Sequence, residues 1–264
     1  MTTRHNISHA DILFSGSARH DGIFNVNKRL GAPMTPVYLV DLGVPIALDA
    51  DGLVDDATST ELPNNTTITY TTADDGSSPF DNADTPAPST IEYQGSTVSV
   101  WALDVPRNLS LVVTHSSSVV AMTCTITGYD EYLVKMVETL TATATGTSKT
   151  DAGAKAWMYI QSIAFASAGN ATTNTATLGW GDILGLPYFL TSKGHLLSFG
   201  APADELASAT AVAGVTTTAS ATTGDVRGTV LPNTATDASA HYYALMALDP
   251  TSNAGLGGVA QYGG

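Results

Sequence analysis

His115-Ser116-Ser117-Ser118 places a base beside three hydroxyls, the residue types of nucleophilic catalysis. Successive side chains on a strand point to opposite faces, so adjacency in sequence does not bring an imidazole and a hydroxyl together. A turn explains the run better. Asp49-Ala50-Asp51-Gly52, followed by Asp55 and Asp56, has the carboxylate density that a hard cation such as Ca²⁺ favours, with Asp49, Asp51 and Asp55 as the candidate ligands. The spacing and the closing glutamate of an EF-hand are missing, and an Asp-Gly β-turn accounts for the segment more simply. Asp74-Asp75 and Asp204-Glu205 are adjacent acids. A glycosidase pair has to flank its substrate at about 5–10 Å, which adjacency does not establish.

The chain has no G-x-S-x-G elbow, no H-E-x-x-H, no P-loop and no strand-to-helix G-x-G-x-x-G, the motifs that would announce acyl transfer, zinc hydrolysis or nucleotide binding. No catalytic residue and no cofactor is therefore expected, and the chain does not read as an enzyme. Trp101, Trp157 and Trp180, with Tyr129, Tyr132, Tyr188, Tyr242 and Tyr243, have the chemistry of a sugar-binding face. Aromatic residues in strands more often anchor a core or a subunit interface, and that reading is preferred.

The elements that must position these residues are strands. Val120, Met122, Cys124 and Ile126 alternate with Ala121, Thr123, Thr125 and Thr127, the period of two of a half-buried strand. Cys124, the only cysteine, falls on the inward face and reads as a buried, inert thiol. Tyr129-Asp130-Glu131-Tyr132 breaks the pattern before Leu133–Thr143, a length suited to a hairpin between antiparallel neighbours. Val37–Leu42, Val44–Leu48, Val226–Val230 and His241–Leu248 also read as strands, and Asp51-Gly52 as a type I′ turn. Ala73–Ser89 is expected to be a long loop, and Ala201–Gly214 a short helix or a loop, with Pro202 placed for a first helical turn. The fold expected is an all-β antiparallel β-sandwich or jelly-roll with extended N- and C-terminal arms: a body over 31–249 with its core in 98–190, an N-terminal arm over 1–30 and a Gly-rich tail over 250–264, both arms ordering on neighbouring subunits.

Composition bounds the partners. Charged residues make up only 13% of the chain and hydrophobic ones 43%, so Thr, Ser, Asn and Gly must supply much of the polar surface, and low-charge faces suit packing against other subunits. The net charge of −14 repels phosphate and argues against nucleic-acid binding. Residues 41–104 hold twelve acids and no Lys or Arg, which reads as a solvated acidic face. No run approaches the roughly 18 apolar residues of a membrane span, and the first residues lack the apolar core of a signal peptide. A protein made in the cytoplasm, with no membrane partner, is expected.

Three phrases carry a family resemblance: Leu103-Asp104-Val105-Pro106-Arg107-Asn108 entering a strand, Thr127-Gly128-Tyr129-Asp130-Glu131-Tyr132 at a hairpin, and Gly179-Trp180-Gly181-Asp182-Ile183-Leu184-Gly185-Leu186-Pro187-Tyr188. A weaker fourth is Asp225-Val226-Arg227-Gly228-Thr229-Val230-Leu231-Pro232. The chain resembles here the structural proteins of tailed-bacteriophage virions, in the group that includes capsid cement and decoration proteins. The resemblance implies a place on the capsid exterior and the major capsid protein as partner. Low charge and closed symmetry add an expected homo-oligomer, a trimer at a symmetry axis. Candidate contacts are Phe14, Arg19, Phe24, Lys28 and Arg29 in the arm, Trp180 in the body and Tyr262 in the tail. A tail, neck or fibre-base component, or a carbohydrate-binding adhesin module, are the alternatives.

Overall fold

The computed structural model describes residues 37–58, 66–69, 88–115, 121–143, 146–167, 174–200, 209–247, 249 and 254–263. The expected arm over 1–30, with Phe14, Arg19, Phe24, Lys28 and Arg29, lies outside them. The described residues form strands and one short 3₁₀ turn at Lys193–His195, with no α-helix. In chain order the strands are β1 (Val37–Gly43), β2 (Asp49–Thr58), β3 (Thr66–Thr69), β4 (Pro88–Tyr93), β5 (Ser96–His115), β6 (Met122–Tyr129) and β7 (Lys135–Ala142). They continue with β8 (Ser148–Ala152), β9 (Trp157–Ser167), β10 (Asn174–Gly185), β11 (Leu196–Gly200), β12 (Thr210–Ala213), β13 (Gly228–Leu231) and β14 (Tyr242–Ala247).

A large curled sheet runs β12-β13-β10-β5-β9-β6-β7, and a small sheet runs β1-β14-β11; every pairing is antiparallel. The protein is thus all-β and sandwich-like. The large sheet curls because β5 changes partners along its 20 residues. Its first part pairs with β4 and β9, the register shifts between Ala102 and Arg107, and it pairs with β10 at Arg107 and again from Leu109 onward, and with β8 over Ser110–Thr114. The bend lies in the Pro-Arg-Asn phrase, where a proline has no N–H for a ladder.

Alternation at β6 follows the pattern in the sequence. Met122, Cys124 and Ile126 are buried and the threonines between them half-buried. The β6–β7 hairpin is also where expected, closed by the Asp130 carboxylate, which accepts the backbone N–H groups of Tyr132 and Val134 at 2.8 Å each. The larger core packs Leu109, Leu111, Ile126, Trp157, Ile160 and Leu178 with their neighbours, and adds Leu53 and Val54 from β2. A second core beneath the small sheet gathers Leu42, Leu184, Leu190, Phe199, Val230 and Met246. At about 1.5–3 kcal/mol for each large apolar side chain fully removed from water, these two clusters are the main source of stability.

Four expectations are corrected. Val44–Leu48 is not a strand, because the Ile46 backbone is taken by side chains instead of a neighbouring strand. Asp51-Gly52 is not a turn but lies inside β2, where a methyl group on Gly52 would collide with the Trp180 ring. Residues 210–213 of the expected short helix or loop are strand β12, paired with β13 over Thr210–Ala213; residues 201–208 lie outside the described residues. The tail, expected to order on a neighbour, lies along its own chain over 254–263. Leu256 O accepts Phe189 N at 2.7 Å and Tyr262 O accepts Val137 N at 2.8 Å.

Candidate functional site

Among the side chains that sequence reasoning singled out, few come together. His115 ends β5 opposite Asn174, and Ser116–Ser118 lie outside the described residues. Asp49 and Asp51 do meet: the Asp51 N–H donates to Asp49 Oδ1 at 3.2 Å. A hydrogen bond between the two carboxyls, with some desolvation and the charges of Asp49 and Asp55, pushes Asp51 up to about 6. No group of three or more His, Cys, Asp or Glu among the described residues is arranged to hold a metal ion. Trp180 is corrected as a contact residue, since it is buried under β2 with its indole N–H donating to Ala47 O at 3.0 Å. Trp101 and Trp157 are buried as well. Cys124 is fully buried, and burial pushes its thiol well above the ordinary range.

What the sequence did not reveal is a set of buried charges. Arg107, fully buried, sits at the bend of β5. Its Nε donates to Gly181 O at 2.8 Å, Nη1 to Ile46 O at 3.1 Å and Asp104 Oδ1 at 3.2 Å, and Nη2 to Ile46 O at 3.2 Å and Thr236 Oγ1 at 2.9 Å. Asp104 also accepts Ile46 N at 2.7 Å, and Asp182 accepts Thr236 N at 3.2 Å. One guanidinium thereby ties four separated segments, and its planar fork suits the task in a way an ammonium would not.

Arg227 organises the opposite side. Its Nη1 donates to Asp130 Oδ2 at 2.9 Å, its Nε to Leu186 O at 3.2 Å, and the guanidinium carbon stands 4.9 Å from the centre of the Tyr132 ring. Gln261, from the tail, donates to Asp130 Oδ2 at 3.1 Å. Burial raises the neighbouring Glu131, with Arg227 opposing it. Tyr132 donates its hydroxyl proton to Pro187 O at 2.9 Å, and together Tyr132, Pro187, Tyr188, Leu256 and Gly257 line a shallow groove of about 290 Å³.

A third cluster surrounds residues 154–156. Glu138 Oε1 accepts Ala154 N at 2.7 Å and Lys155 N at 3.1 Å, and its Oε2 accepts the Trp157 indole N–H at 2.9 Å. Asp225 Oδ2 accepts Ala156 N at 3.0 Å, while its Oδ1 accepts Arg227 N at 2.8 Å and Gly228 N at 3.2 Å. Lys155 is fully buried between them, and its Nζ has no hydrogen-bond partner. Desolvation raises both carboxyls and lowers the amine, which favours the neutral form of each.

The outer face of the small sheet is apolar and open. Leu39 is 71% exposed, Leu197 47% and Tyr243 41%, and Leu39 lies opposite Leu245 across the β1–β14 pair. Among the described residues an ion pair also lies on this face: Asp41, opposite Tyr243 in the ladder, meets at 2.5 Å His241, which stacks on Tyr243 with ring centroids 4.6 Å apart. Such a face can pack against another protein surface. No protein-family model, curated protein or solved structure matches the chain.

Proposed function

We propose that the chain is a structural protein of a bacteriophage virion, a cement or decoration protein that binds the outside of the head and stabilises it by bridging subunits. The observation that carries this reading is the apolar outer face of the β1-β14-β11 sheet, with Leu39, Leu197 and Tyr243 in water. Contiguous exposed apolar side chains on a sheet mark a surface that another protein covers. The resemblance of the Arg107, Asp130 and Trp180 phrases to virion structural proteins adds to it. So does the way Arg107, Arg227 and Asp130 are used, holding segments together in place of meeting a substrate. The partners under this reading are the major capsid protein and further copies of this chain, with a trimer at a symmetry axis. A ligand that binds only the intact shell shifts the equilibrium toward it by mass action, and many copies each adding about 2–3 kcal/mol accumulate across a particle.

Particles made with and without the protein test this directly. Complete particles should hold their DNA to higher temperature than particles lacking it, and Leu39→Asp should abolish binding to the shell while leaving the fold intact. Equal heat stability of the two kinds of particle rejects cementing. Recovery of the protein in isolated tails favours the tail, neck or fibre-base alternative. The groove beside Tyr132 and Tyr188 favours the adhesin alternative, which glycan-array binding lost in Tyr132→Ala would support.

A further inference from the structure

β7 ends the large sheet, so among the described residues one of its edges has no strand beside it. In an antiparallel ladder alternate N–H groups point away from the partner strand, and on β7 these are taken by three irregular covers. Val137 N donates to Tyr262 O at 2.8 Å, Thr139 N to Ala221 O at 2.8 Å, and Thr141 N to the Asp151 carboxylate. A bare row of such groups is a template for another chain, and proteins blunt it by covering it.

The covers differ in how firmly they are held. Asp151 belongs to β8, which is paired with β5, and Ala221 stands two residues from the buried Ala219. The tail has weaker anchors. Its Leu256 and Tyr262 side chains are exposed, and Gly255, Gly257, Gly258 and Gly263 carry a high entropy cost of ordering. A segment that buries little apolar surface opens more readily than the sheet beneath it. It covers a carbonyl as well as an amide, since a Cβ on Gly263 would lie 3.4 Å from Lys135 O. With the tail lifted, the Val137 N–H and the Lys135 C=O face water while Thr139 and Thr141 stay covered.

We propose that this stretch of β7 is a self-association edge, that its partner is the same stretch of a second copy, and that the tail is the contact that keeps it closed. An antiparallel two-fold pair centred on Met136 sets Lys135 of each copy opposite Val137 of the other. Each Val137 N–H then donates to the opposite Lys135 C=O, as an isologous contact requires. No like charges meet, because Lys135 faces a valine and Met136 faces its own counterpart. The ladder is short, so the association is weak and depends on concentration. This edge is separate from the Leu39 face, and the inference does not need the cement reading.

Gly258→Val opens the tail without shortening the chain. Gly258 has a φ of +76°, and a Cβ there would run into Val226 O. The dilute variant should exchange its Val137 amide at least about tenfold faster than the wild type. On concentration it should self-associate beyond the wild type in light scattering, with the Val137 amide slowed again. The Thr139 amide should stay slow throughout, because Ala221 O still covers it. A staple supplies the reversal: a Cβ on Gly263 would lie 3.7 Å from Lys135 Cβ, within disulfide range. Gly258→Val carrying Gly263→Cys and Lys135→Cys should therefore associate only after reduction. A fast Val137 amide with no association overturns the proposal. Association that leaves the Val137 amide fast also overturns it, because the contact would then lie on another surface. A Val137 amide that stays slow in the dilute variant, or a Thr139 amide that quickens with it, shows that the tail is not the cover of this one stretch and overturns it as well.

Discussion

Arg107 and Lys155 are both basic residues with no exposed surface, yet their surroundings differ in kind. Every nitrogen of the Arg107 guanidinium has an oxygen partner, drawn from Ile46, Asp104, Gly181 and Thr236. The Lys155 ammonium has none, while the carboxylates beside it are occupied by backbone N–H groups. The difference teaches that burial alone does not define what a charge is for. A fully paired guanidinium is a mechanical fastener whose removal leaves many groups without partners; an unpaired buried amine sits in surroundings that favour its neutral form.

The strongest way to break this comparison is Arg107→Met. It strands the Ile46 and Gly181 carbonyls and the Thr236 hydroxyl and takes the cation away from the partly exposed Asp104 and Asp182. At about 1–3 kcal/mol for each stranded group the loss should be the largest of the series, read as a lower urea midpoint at unchanged slope. Arg107→Lys should lose most of the same amount, because it keeps the charge but not the fork. A lysine that fully replaces Arg107 would show that charge, and not hydrogen-bond geometry, sets the difference between the two sites.

Thr236→Val tests a smaller part of the fastener. Its hydroxyl accepts from Arg107 and lies 2.7 Å from Ile46 O and 2.6 Å from Asp182 Oδ1, so about 1–3 kcal/mol should be lost through stranded buried groups. Beside Arg227, Gln261→Ala removes one donor to Asp130 and should lower stability by about 0.5–1.5 kcal/mol. Hydrogen exchange at the Val137 amide, bonded to Tyr262 O, should quicken as the tail loosens.

The smallest effect belongs to Asp51, an exposed counterpart in which like charges meet. Its folded-state value of about 6 stands above the ordinary 3.8, so the folded protein holds that proton more tightly than the unfolded chain. Its contribution to stability is therefore present at low pH and fades as pH rises from about 4 to about 6. Asp51→Asn should raise Tm slightly at pH 8, and the gain should shrink toward pH 4. A constant gain across that range would show that Asp49 and Asp51 do not share a proton.

Local signals made part of this legible in advance. The inward row at Met122, Cys124 and Ile126 declares β6 because one buried face imposes a period of two. Asp130 closes the hairpin through its own neighbours, so the turn is written within a few residues. Gly52 misleads because its neighbour is Trp180, far away in sequence, and a close ring contact needs glycine as much as a turn does. Val44–Leu48 misleads for a similar reason: the bonds of Ile46 go to Asp104, Arg107 and Thr236, which no local pattern announces. The Lys155 cluster combines residues from β7, the segment before β9 and the segment before β13. In the sequence each is simply one more isolated charge.

The small sheet has a consequence during synthesis. Its middle strand is β14, at Tyr242–Ala247, flanked by β1 at Val37–Gly43 and β11 at Leu196–Gly200. On the ribosome β1 must wait until Tyr242–Ala247 has been made before its partner exists, and such distant pairing is slow to form. A prematurely terminated chain lacks the strand that joins the other two, and so cannot present Leu39, Tyr243 and Leu197 on one surface. Only chains that extend through Ala247 display that face, so the exposed apolar surface is the last part of the described fold to be completed.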